Sequence, residues 1–201
     1  MRFRASQRLA AFGVLLALTL VACNIFETRT PEQPSQSSST FVPATDPSLV
    51  FSNMTNAFRD LNSVNYVKSF ADSTSAGRGF SFEPTQAAKV KYGGVFLTWT
   101  RQSEQQYFEN LRSKIPSGST ATLTFESLTV QSLQSDSAQY EATYRLTVPH
   151  TVATLPTEAT GKAQFLLIAD RSRSWVIWRW IDLTTSTSTF SWSDLKGAFG
   201  Q

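Results

Sequence analysis

Apolar residues recur along this chain with two different periods. Val50, Met54, Ala57, Phe58 and Leu61 fall at spacings of four and three, which puts them on one face of an amphipathic helix. Asp46-Pro47 marks its start, with Asp as N-cap accepting from exposed backbone N–H groups and Pro at the first helical position. Asn62-Ser63 breaks the pattern, and Val64, Val67 and Phe70 predict a second, shorter helix. A stretch of Ser, Thr and Gly then leads to Phe80-Ser81-Phe82, a short strand stopped by Pro84. Trp99, Gln102, Gln106, Phe108 and Leu111 predict a third helix from about Arg101 to Ser113, with Thr98 or Thr100 as cap and Pro116-Ser117-Gly118 as stop.

From Ser119 onward the period becomes two. Ala121, Leu123 and Phe125 alternate, and a parity shift near Ser127 predicts a bulge before Leu128 and Val130. Tyr140, Ala142, Tyr144, Leu146 and Val148 alternate with polar residues, the signature of a half-buried antiparallel strand. Ala159 to Ala169 and Trp175 to Leu183 are two further strands joined by the polar loop Asp170 to Ser174. Trp175, Trp178 and Trp180 lie on both parities, so this last strand is expected to be covered on both faces, and it could also pack against a second subunit in a homodimer. Trp192 to Lys196 predicts one capped helical turn. Three helices followed by four long strands and a short one make an α+β domain with a curled antiparallel sheet wrapped around helices.

The domain spans residues 46–201, and a different pattern precedes it. Arg2, Arg4 and Arg8 stand before a 14-residue apolar run, Leu9 to Ala22, interrupted only by Gly13 and Thr19. These are the n-region and h-region of a signal peptide over residues 1–22, too short for a spanning helix of roughly 20 residues. The run ends in Leu20-Val21-Ala22-Cys23, which resembles the bacterial lipobox, where a small residue precedes a cysteine that takes a lipid and becomes the new N-terminus. Cys23 is the sole cysteine, which leaves the domain without a disulfide and gives the thiol to lipidation. The resemblance implies a protein of the bacterial cell envelope, exposed outside the cytoplasm and tethered to a membrane through Cys23. Residues 23–45, rich in Ser, Thr, Pro and Gln, read as a disordered tether that spans roughly 25 Å root-mean-square.

Charge changes the picture once the signal peptide is set aside. The full chain has 18 basic and 15 acidic residues, but three of the basic ones precede Cys23 and no acid does. The mature chain is formally neutral and has no basic stripe, so nucleic acid is not an expected partner. A single histidine and a single cysteine exclude Cys/His metal sites and imidazole triads. His150, beside Pro149 at a strand end, is expected in a solvent-exposed turn. No cofactor, metal or catalytic residue is expected.

The order helix pair, short strand, helix, long antiparallel strands resembles the NTF2-like superfamily, the cone fold shared with SnoaL-like cyclases and ketosteroid isomerases. The residues that carry the likeness are Asn56-Ala57-Phe58, Tyr66, Ser69-Phe70-Ala71-Asp72, Trp99 with Glu104, Tyr107 to Leu111, Gly161 with Phe165, and Trp175 to Asp182. These are packing positions. The resemblance implies a cone whose candidate lining is Trp99, Tyr140, Tyr144 and Tyr66, suited to a small apolar ligand. Enzymes of the superfamily place carboxylates inside the cone, so Glu126, Arg179 and Asp182 are the candidate polar groups there. Glu126 sits at the inferred bulge, which leaves its direction open, and Arg179 and Asp182 would form a structural ion pair if they met. Asp72 and Arg78, with Tyr66, are candidates for the cone's mouth. Three functions stay open: a non-catalytic module binding an apolar ligand or a protein, a cyclase-, isomerase- or hydrolase-like enzyme using one carboxylate, and a structural envelope role.

Overall fold

A computed structural model describes residues 40–183 and 189–201. Cys23, the signal peptide and the tether up to residue 39 lie outside the described residues.

Helix α1, Ser48–Arg59, buries Val50, Phe51, Met54, Ala57 and Phe58. It begins one residue later than the sequence suggests, because the Asp46 carboxylate accepts from the Ser48 N–H and hydroxyl at 2.8 and 2.6 Å, closing a turn around Pro47. Leu61 follows the helix with φ 48°, a left-handed conformation that reverses the chain. Asn62 then caps α2, Ser63–Val67, by accepting from the Asn65 N–H. Tyr66 and Val67 are buried by this short helix, while Val64 is 63% exposed. Two helical segments were not legible in the sequence: α3, Ser73–Ala76, and α4, Gln86–Lys91, which is followed by a 3₁₀ turn at Gly93–Phe96. Both helices are capped by local side chains, Asp72 accepting from Thr74 and Thr85 from Ala88. They carry almost no apolar face, so periodicity could not reveal them. Helix α5, Arg101–Ser113, matches expectation and starts in a reciprocal capping box between Thr100 and Ser103.

Strands β1 (Ser81–Glu83), β2 (Thr122–Leu133), β3 (Ser137–Thr147), β4 (Glu158–Ala169) and β5 (Trp175–Leu183) form one sheet in the order β1-β5-β4-β3-β2. The four long strands are antiparallel neighbours, and the bulge expected near Ser127 is present between Phe125 and Ser127, with a second between Val130 and Ser132. The sheet is not wholly antiparallel, because β1 pairs parallel with β5. The connection between them contains the rest of the sheet, long enough for the crossover that a parallel pair needs. Along β3, Ala138, Tyr140, Ala142, Tyr144 and Leu146 all point to the concave, buried face.

The tryptophan strand is less symmetrical than its parity pattern suggested. Trp180 is fully buried, but Trp178 is the extra residue of a bulge opposite Leu166 and Leu167. It lies half-buried on the outer face with the Arg78 guanidinium 4.6 Å above its ring. The final helix, α6, spans Trp192–Phe199, two turns rather than one, and starts in a capping box between Ser191 and Asp194.

Candidate functional site

Helix α6 fills the concave side of the sheet. Trp192 is fully buried, its ring 4.5 Å from Trp180, 5.3 Å from Tyr144 and 5.5 Å from Phe58, centroid to centroid. Its indole N–H donates to the Tyr107 hydroxyl at 3.1 Å and its backbone N–H to the Tyr144 hydroxyl at 2.9 Å. One turn later Lys196 enters the same space with no exposed surface. Its ammonium rests 3.8 Å from the Trp180 ring centroid and 4.1 Å from that of Phe82, and it donates to the Glu104 carboxylate. Such an ammonium between aromatic faces is held by their quadrupoles as well as by the carboxylate.

Glu104, on α5, is likewise fully buried. Besides Lys196 it accepts from the Trp99 indole at 2.7 Å and the Tyr66 hydroxyl at 2.8 Å. Burial pulls the Lys196 ammonium down to about 8, and the Glu104 charge opposes that fall. Asp182, on β5, is the second buried carboxylate. It accepts from the Tyr144 hydroxyl at 2.8 Å, the Ser193 N–H at 2.8 Å and the Ser193 hydroxyl at 2.5 Å. Burial pushes its carboxyl up to about 6, although all three donors work in the other direction. The Tyr66, Tyr107 and Tyr144 phenols are held well above their ordinary range, first by burial and then by the nearby carboxylates.

A close approach on β4 makes one of these contacts possible. A Cβ at Gly161 would stand 2.5 Å from the Tyr144 hydroxyl, so only glycine lets that phenol lie across its neighbouring strand and reach Asp182. The four candidate lining residues are all here. Tyr66, Tyr144 and Trp99 are hydrogen-bonded members of the buried cluster, while Tyr140 packs against Phe51 with ring centroids 5.0 Å apart. None is more than 5% exposed. They fill the interior together with α6.

The candidate polar groups divide. Asp182 is inside, as the resemblance implied, but not paired with Arg179. Arg179 lies on the outer face and donates to Glu83 at 2.8 Å, because the bulge at Trp178 turns its side chain away from the cone. Glu126 is also outside, accepting from Arg145 at 2.7 Å, and Arg145 bonds Glu158 as well. Asp72 pairs with Arg101 at 3.3 Å, and Arg78 covers Trp178 on the outer face. His150 is not solvent-exposed: its ring is buried against Phe199, and its Nε2 stands 3.0 Å from the Pro156 carbonyl. Since that carbonyl can only accept, Nε2 carries the proton. The sequence reading missed Lys196, Trp192 and Ser193 as parts of the interior. The spacing Ser191-x-x-Asp194 followed by Leu195 and Phe199 was the available signal for a real helix. Among the described residues, no group of three or more His, Cys, Asp or Glu side chains could hold a metal ion, and no helix is long and apolar enough to cross a membrane.

No family model matches the sequence, and no curated protein matches it either. Solved structures do resemble the domain. A candidate dehydratase of the NTF2-like family from Streptomyces avermitilis superposes with a TM-score of 0.50 at 10% identity, over 69% of this chain and 94% of that one. A candidate calcium/calmodulin-dependent protein kinase II association domain from Xanthomonas campestris gives 0.50 at 16% identity, over 70% and 86%. These likenesses establish the fold: the described domain is an NTF2-like cone of α+β class.

Proposed function

We propose that this chain is an exported lipoprotein, held at a membrane of the cell envelope by lipid on Cys23, whose NTF2-like domain is a non-catalytic module that works by binding a protein at its outer surface. One observation carries the choice between the cone and the surface. The chain's own Trp192 and Lys196 occupy the cone, and both buried carboxylates there are already engaged, Glu104 by three donors and Asp182 by three. A general base must be within hydrogen-bond reach of a substrate proton, and Asp182 has Tyr144 and Ser193 in those places. The small apolar ligand that the resemblance suggested would have to displace α6.

Mass spectrometry of the full chain extracted from membranes in mild detergent tests this reading. The expected result is a chain that begins at a diacylated Cys23 and carries no co-purified small molecule. An intact Met1 terminus would overturn the anchor, and a stoichiometric bound metabolite would overturn the filled cone. The second reading, a carboxylate isomerase or hydrolase of the cone, draws on Asp182, whose carboxyl is raised to about 6, in the range where acid–base catalysts are poised. It requires turnover that disappears in Asp182→Asn while the fold is kept.

A further inference from the structure

The two edges of the sheet are finished differently. At one edge, β1 is three residues long, runs into Pro84 and carries Glu83, which is ion-paired with Arg179. At the other, β2 runs for twelve residues, and every residue from Glu126 to Leu133 is exposed. An open edge presents unpaired backbone groups to any passing strand, and proteins blunt it with shortness, charge or proline. β1 has these defences. On β2 the run Ser127 to Gln134 has no charge, no proline and no glycine, and the one acid before it, Glu126, is engaged by Arg145. Leu128, Val130 and Leu133 are 36, 47 and 58% exposed. Beside them a groove of about 520 Å³ opens between α1 and β2, floored by Phe51, Leu123, Phe125 and Leu128.

We propose that β2 pairs antiparallel with β2 of a second copy of this chain, about a two-fold axis at Thr129. The register follows from parity. Leu128 is opposite Ala142 and Val130 opposite Tyr140 within the chain, so both face the concave side, whereas Thr129, opposite Glu141, faces outward. Directly opposed residues of an antiparallel pair share a face, so a two-fold pairing must be centred on a residue. Centred on Thr129, it sets Leu128 against Val130 of the second copy, and Val130 against its Leu128, all four on the concave side. Thr129 meets Thr129 on the other face, one of the favourable cross-strand pairs. A two-fold axis also opposes like with like, and a single Lys or Glu in this run would repel its own copy. None is present. The bulges at Glu126 and Gln131 leave Ser127 to Val130 regular, and the part of that run symmetric about Thr129 is Leu128 to Val130, which carries two of the three exposed apolar side chains. This inference rests on the reading that the domain acts through its outer surface, and it names the surface and the occupant.

Thr129→Cys in the full chain tests it, because a residue on a two-fold axis meets itself. Membranes carrying the variant are treated with a mild oxidant and analysed without reductant, with the unaltered chain and Val64→Cys, an exposed position far along the sequence from β2, as controls. The expected result is a covalent dimer several-fold more abundant than in either control. Adding Val130→Lys to Thr129→Cys should abolish the cross-link while the melting temperature stays unchanged, so that loss of pairing is separated from loss of folding. Cross-linking no greater than in the controls, or an introduced thiol joined to a different protein in place of its own copy, would overturn the second copy as occupant. A chain that is lipidated, free of small molecules and not cross-linked would overturn the pairing while leaving the proposed function intact.

Discussion

The interior of the cone and the free edge of β2 use their side chains in opposite ways. Inside are two carboxylates, an ammonium and three phenols, each with a named partner; at the edge Leu128, Val130 and Leu133 are exposed. Buried charge is costly unless paired, and apolar surface left in water contributes no burial energy. The interior is therefore built to hold one conformation, and the edge leaves apolar surface on Leu128, Val130 and Leu133 that the isolated fold does not bury.

The largest effects should come from breaking the buried pair. Lys196→Ala leaves Glu104 without its counter-charge, and a loss of about 3 to 5 kcal/mol is expected, read by urea denaturation. The double variant Lys196→Met with Glu104→Gln should recover much of that loss, since replacing both charges removes the burial penalty along with the attraction. A double variant as unstable as the sum of its singles would show that the two side chains do not act as a pair. Trp180→Ala belongs to the same class, at about 3 to 5 kcal/mol. Trp178→Ala, half-buried under Arg78, should cost less than half as much, and equal losses would mean that β5 is covered equally on both faces.

A smaller effect is expected where packing positions one hydrogen bond. Gly161→Ala pushes the Tyr144 hydroxyl off its place and leaves Asp182 short of a donor, at a cost of about 1 to 3 kcal/mol. The pH dependence then isolates Asp182. Its carboxyl titrates at about 6 in the folded chain against 3.8 in the unfolded one, so between these values the folded state holds more protons and stability falls as pH rises. Asp46, Asp60 and Asp72 are shifted the other way by hydrogen bonds to Ser48, Arg59 and Thr74, and their contribution is lost only as pH falls below the ordinary carboxylate value. Urea melts at pH 4, 5 and 6 should show a decline in the native chain and a flatter profile in Asp182→Asn. The smallest effect concerns the edge: Val130→Lys alone should leave folding stability within about 0.5 kcal/mol.

How much of this was legible in the sequence depended on whether a residue's role was local. The period of α1, the span of α5, the ends of β5 and the bulge at Ser127 could be read because neighbours in sequence decide them. The four aromatic candidates could be placed inside by parity or resemblance, whereas Asp182 was one of three polar candidates, of which Glu126 and Arg179 lie outside. Arg179 could not be placed outside, because a one-residue bulge at Trp178 reverses the parity after it, and nothing in the sequence of β5 announces that bulge. Lys196 and Ser193 could be placed on a capped terminal turn, but not in the interior. Their burial depends on Glu104 and Asp182, which lie 92 and 11 residues away, and no local pattern encodes such a match.

Whether α6 is a permanent part of the core or a lid over a working cavity is the central question for this molecule. The backbone N–H groups of Trp192 and Ser193, bonded to the Tyr144 hydroxyl and the Asp182 carboxylate, report on it directly. Hydrogen exchange at these two amides, followed by NMR beside the central amides of β3 and β4, measures the free energy of opening at each place. A permanent α6 predicts that all of them exchange only through global unfolding, with the same denaturant dependence. Exchange at Trp192 and Ser193 through an opening several kcal/mol cheaper than that of β3 and β4 would contradict it, and would make the cone a site that the chain uncovers.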